Sequence, residues 1–109
     1  MEIRETEKYY IITPLSPKLS ERESLKLEAE ILNSSNKRVG IDLSFVQDCT
    51  IDFINRLVNH RNISLFNIPS DIFALLTSMN LDKTFALFVS EMDFTDNRHQ
   101  LLNRKFFVL

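Results

Sequence analysis

Glycine occurs once in this chain of 109 residues, at Gly40. Phosphate-cradling loops of the Rossmann or P-loop type need several glycines so that the backbone can approach the phosphates. Nucleotide binding of either kind is therefore excluded. A single cysteine, Cys49, leaves no internal disulfide framework, and the reducing cytoplasm is the expected compartment. Tryptophan is absent, and His60 and His99 lie far apart with no Cys or His neighbour at metal-ligand spacing. No cofactor and no metal is expected. No apolar run approaches the ~20 residues of a membrane span, and Met1-Glu2-Ile3-Arg4-Glu5 lacks an apolar signal core, so neither membrane insertion nor export is expected. Thirteen Lys and Arg against fifteen Asp and Glu give a formal charge of −2. Without a basic cluster, nucleic acid is not expected as a partner.

What is present is 44% hydrophobic and 26% charged residues, with no low-complexity segment, solenoid period or linker. One domain over residues 1–109 is the expectation. Tyr9-Tyr10-Ile11-Ile12-Thr13 is aromatic and β-branched and ends at Pro14, which predicts a strand. Ser20-Glu21-Arg22-Glu23 has the form of a capping box, and Leu25, Ala29 and Leu32 follow at i, i+4, i+7 as the expected buried face of a helix. Asn33-Ser34-Ser35-Asn36 should end it. Val39–Leu43 predicts a buried strand. Ile51, Ile54, Leu57 and Val58 mark a second helix with Asp48-Cys49-Thr50 as its cap region. Ile63–Ile68 predicts a further strand ended by Pro69, with Ser70 capping a third helix that carries Ile72, Phe73, Leu76 and Met79. Phe85–Val89 is the last expected strand, and Thr95 opens a fourth helix burying Leu101 and Leu102. Strands alternating with helices give an α/β fold, a mixed sheet whose middle strands are 39–43 and 63–68, with Leu25, Leu32, Ile54, Leu57 and Leu76 in its core.

Chemistry is sparse. Asp42, Asp48 and Asp52 fall in one strand–loop–helix unit, where open α/β sheets place ligand sites. Acid–base or metal chemistry would need a further convergent group and a pocket. The simpler reading has Asp48 capping, Asp52 complementing the positive helix end and Asp42 bonding loop amides. Cys49 could be a nucleophile with its thiolate favoured by the helix start, or a small packing residue, the reading preferred here. His60 suits the negative end of the second helix. His99 reads as a solvated helix residue, and Glu21, Glu23, Glu28 and Glu30 as a solvated helix face. The apolar end Phe106-Phe107-Val108-Leu109 is expected to fold back on the core, or else to be held by another molecule.

Ile41-Asp42-Leu43-Ser44-Phe45-Val46, the short loop after it and the helix through Leu57 together resemble the signature of the STAS domain, the module of anti-sigma factor antagonists. The resemblance spans nearly the whole chain. Leu15–Ser20 stands where that family has a Gly-x-Leu-Asp turn, Ile63–Ser70 is similar to its central strand and following helix, and Leu75–Phe85 resembles its helix end before the last strand. It implies a STAS-like mixed sheet of four to five strands packed with about four α-helices. The family's regulated loop, Asp-Ser-Ser/Thr-Gly, falls on Thr50-Ile51-Asp52-Phe53, and none of the four matches. Asp52 occupies the phosphoacceptor position without a hydroxyl, where its charge imitates part of a phosphoserine. A two-residue gap would instead make Thr50 the acceptor. The resemblance implies a cytoplasmic, non-enzymatic module that docks a protein partner through Asp48, Cys49, Thr50, Ile51 and Asp52 and the exposed side of the second helix. The implied partner is an anti-sigma factor or a serine kinase of the partner-switching type. The alternative is a subunit of a transporter or of a stressosome-like assembly. Glu28, on the polar side of the first helix, is expected to lie outside that surface.

Overall fold

A computed structural model of the protein describes residues 1–60 and 62–101. The sheet begins with a strand the hydrophobic pattern did not reveal, β1 (Glu2–Glu5), paired antiparallel to β2 (Tyr9–Thr13). The turn between them is closed by the Thr6 hydroxyl, which accepts from the N–H groups of Lys8 and Tyr9. β1 escapes a periodicity search because Ile3 is its one apolar residue. Charged residues elsewhere in it suit an edge, where they discourage pairing with another chain.

From β2 the chain makes three successive crossovers. Through β3 (Lys18–Leu19) and α1 (Glu21–Leu32) it reaches β4 (Arg38–Asp42), and through β5 (Asp48–Cys49) and α2 (Ile51–Leu57) it reaches β6 (Ile63–Phe66). Through α3 (Ser70–Ser78) and a 3₁₀ turn at Leu81–Lys83 it reaches β7 (Ala86–Leu87). The order β1-β2-β4-β6-β7 adds each parallel strand on the same side of the one before. Right-handed crossovers then put all three helices on one face. There Leu27 and Ile31 of α1, Ile54 and Leu57 of α2 and Leu76 of α3 pack on Ile12, Ile41 and Leu65. The opposite face is covered by α4 (Glu91–Asp96), whose Phe94 enters a cluster with Ile11, Phe66 and Phe88. Both strands expected in the middle of the sheet lie inside it, and Ile54, Leu57 and Leu76 are buried.

Leu25 and Leu32 are not in the core. They are 53% and 77% exposed, and Ala29 is exposed with them, while Ser24, Leu27 and Ile31 form the buried face. Both triads have helical spacing; the Ser20–Glu23 capping box, which does form, fixes where the helix starts but not which stripe meets the sheet. The cap of α2 is Thr50 alone. Its hydroxyl accepts from Phe53 N–H at 3.1 Å, whereas Asp48 and Cys49 form β5. The cap position of α3 is Pro69, with Ser70 as the first helical residue. The fourth helix starts at Glu91, not Thr95, because Ser90 accepts from Asp93 N–H, and it ends at Asp96, where Asn97 turns left-handed. His99 therefore lies beyond it, exposed, and Leu101 sits in a bridge to Leu87 rather than in a helix. β6 stops at Phe66 because Asn67 takes a positive φ, and the last strand is the short β7 rather than Phe85–Val89. Leu102 and Phe106–Leu109 lie outside the described residues.

Candidate functional site

The parallel strands β2, β4, β6 and β7 all end at one edge of the sheet, and the loops leaving them build the surface the sequence singled out. Two of those loops are stitched together. Pro17 O accepts from Gln47 N–H at 2.7 Å and Asp48 N–H at 3.1 Å, Lys18 and Leu19 pair with Asp48 and Cys49, and Leu19 O accepts from Thr50 N–H at 3.0 Å. This small parallel ladder sets Ser20 and Thr50, and with them the starts of α1 and α2, side by side. Asp52 lies in the first turn of α2, where its charge complements the helix dipole. Two apolar side chains of this region face solvent: Ile51, next to Asp52 in the chain, is 56% exposed and Phe45, in the loop before β5, 58%. Phe45 lay within the motif but was not singled out, since an aromatic residue after a strand reads equally well as core.

The three carboxylates do not converge. Asp42 accepts from Ser44 N–H and from the Asn67 side chain, each at 3.0 Å, and its other oxygen stands 4.0 Å from Arg4, itself paired with Glu91 of α4. The loop-amide role expected of Asp42 is thus present. Asp48, in contrast, bonds the N–H of Cys49 at 2.9 Å and caps no helix, and Asp52 faces the α1–α2 side. Because the parallel strands are added in one direction, the sheet formed by the described residues has no point where strand order reverses, the place where open α/β folds set their ligand crevice. Among the described residues no group of three or more His, Cys, Asp or Glu could hold a metal.

Cys49 is not an activated thiol. Burial, and then the neighbouring Asp48 charge, push its pKa up to about 11, so it is protonated at neutral pH. It faces a void of only ≈ 10 Å3 between β5, α2 and α3, where it packs beside Phe53 and Ile72. A space of that size holds no substrate.

Between α1 and α2 runs an open groove of ≈ 490 Å3 lined by Glu21, Glu28, Asp52, Asn55, Arg56 and Asn59. Arg56 bridges Glu28 at 3.1 Å and Glu21 at 3.2 Å, and His60 Nε2 lies 2.7 Å from the second oxygen of Glu28. The hydrogen bond from His60, joined by Arg56, holds the Glu28 carboxyl below its usual range against the opposing effect of burial. Glu28 thus belongs to the rim shared with Asp52, not to a remote face. The supposed solvated face of α1 is instead largely engaged: Glu23 serves the capping box, and Glu30 accepts from the buried Tyr10 hydroxyl at 2.8 Å.

No protein-family model and no curated protein matches the sequence. The structure is similar to the crystal structure of a candidate anti-sigma factor antagonist from Thermotoga maritima, with a TM-score of 0.74 and 14% identity, over 88% of this chain and 92% of that one. The fold is therefore that of STAS-type anti-sigma factor antagonists, as the motif resemblance implied. Among the described residues no helix is long and apolar enough to cross a membrane.

Proposed function

We infer that the protein is a cytoplasmic, non-enzymatic docking module that binds a regulatory protein through the loop Asp48–Asp52 and the exposed side of α2. The observation that carries this reading is the combination of an anti-sigma-antagonist fold with a carboxylate, Asp52, in the first turn of α2 and exposed apolar side chains at Ile51 and, in the preceding loop, Phe45. A partner of the anti-sigma factor or serine kinase type would read that charge without a phosphorylation step. The absence of a hydroxyl at position 52 supports a permanent binding state, and Thr50, the alternative acceptor, already uses its hydroxyl oxygen to cap α2.

Capture of a partner from native lysate, then titration with variants, tests this. Asp52→Lys should weaken binding at least tenfold, because reversed charge adds repulsion to lost attraction. Glu7→Lys, exposed in the β1–β2 turn at the opposite end of the sheet, should leave affinity unchanged. Equal affinity for all three proteins would place docking elsewhere. Incubation with the cognate kinase and ATP should leave residues 48–52 unmodified by mass spectrometry; phosphate on Thr50 would restore a switch and overturn the permanent-state reading.

A further inference from the structure

The exposed stripe of α1 is an apolar helix face that no other element among the described residues covers. Leu25, Ala29 and Leu32 repeat at core spacing, yet all face solvent, while the helix is already anchored to the sheet through Ser24, Leu27 and Ile31. The charges on either side are of opposite sign. Toward α2 the stripe is flanked by Glu21 and Glu28, which with Asp52 line the groove. On its other side stand Arg22 and Lys26, exposed and in no ion pair among the described residues.

We propose that this face binds a second copy of the chain, α1 lying parallel to α1 about a two-fold axis along the helices. In heptad terms Leu25 and Leu32 take d positions, Arg22 and Ala29 a positions, Glu21 and Glu28 g positions and Lys26 an e position. In a parallel pair a g residue faces the e residue five places on in the other helix. Glu21 of one copy then meets Lys26 of the second, and the same contact repeats by symmetry, as an isologous interface requires. The parallel pair brings Arg22 to Arg22 at one a layer, set against two Glu21–Lys26 contacts, whereas an antiparallel pair would set the whole acidic flank against itself with no such contact in return. Glu21 is free to take this role because its side chain is 65% exposed even with Arg56 beside it. A helix of twelve residues spans only about 18 Å, so the contact is smaller than that of a stable complex. The dimer is accordingly weak, with a Kd in the range of about 10 μM to 1 mM. This inference is independent of the docking function.

Sedimentation velocity on the full chain across that concentration range tests it. The weight-average mass should climb from that of one chain toward two. Leu25→Gln/Leu32→Gln should stay monomeric throughout, with an unchanged melting curve showing that the fold is intact. Lys26→Glu should shift the transition to at least tenfold higher concentration, and Glu21→Lys/Lys26→Glu should bring it back. A wild type that stays monomeric at the highest concentration overturns the proposal, whether or not another protein occupies the stripe. So does a Leu25→Gln/Leu32→Gln variant that dimerises like wild type, or a charge swap that fails to restore association.

Discussion

At position 40 a Cβ would stand 2.7 Å from two ring carbons of Phe94 and 3.0 Å from Phe66. The chain's single glycine is therefore a packing residue: it lets α4 lay Phe94 flat on the sheet, stacked on Phe66 at 5.4 Å and covered by the Arg38 guanidinium at 4.4 Å. Gly40→Ala should lose about 1–3 kcal/mol, the usual cost of overpacking. Chemical denaturation of Gly40→Ala, Phe94→Leu and the double variant checks it, the double losing less than the sum. The scarcity of glycine was legible in the sequence; the role of the one that is present was not, because it depends on a helix from the far end of the chain. Turns use asparagine instead. Asn36, Asn62, Asn67, Asn80 and Asn97 all have positive φ, the region asparagine tolerates better than other side-chain-bearing residues. Asn80, just past the C-cap of α3, should cost about 1 kcal/mol as Asn80→Ala and less as Asn80→Gly, read from thermal melts.

The two apolar stripes of α1 show what sequence periodicity decides and what it leaves open. Existence, start and amphipathic character were legible in Ser20, Glu23 and the leucines. The choice between Leu25/Ala29/Leu32 and Ser24/Leu27/Ile31 was not, since Ser24 reads as polar although it is fully buried, its hydroxyl bonded to Glu21 O at 2.6 Å. Leu27→Ala should destabilise by about 2–5 kcal/mol and Leu32→Ala by no more than about 0.5 kcal/mol in urea titrations. The tie between α1 and α2 is equally testable. Glu28 has its carboxyl pKa lowered by His60 and Arg56, so its stabilisation is present above the unfolded value of 4.5 and is lost as pH falls through the lower folded value. The melting-temperature gap between wild type and Glu28→Gln should therefore be open at pH 7 and close in acid. A gap of constant size would remove Glu28 from the pH dependence.

At the scale of the whole molecule, alternation of strands and helices was sufficient to give the α/β class, and the residues around Ile41–Val46 were sufficient to indicate the STAS-type fold. The separation of Asp42 from Asp48 and Asp52 was hidden, because it follows from Asp42 pointing to the α4 face while α2 packs on the other. The same topology puts the loop from Phe45 to Thr50 and the start of α2, Ile51 and Asp52, after the end of β4 at one edge of the sheet, and docking there is the central claim. Amide chemical-shift mapping of the isotope-labelled chain during titration with its captured partner tests it most directly. The account predicts that the amides of Phe45, Thr50, Ile51, Asp52 and Arg56 shift and saturate together while those of Tyr9, Arg38 and Phe94 stay in place. Saturating shifts confined to Tyr9, Arg38 and Phe94, with residues 45–56 unmoved, would contradict it.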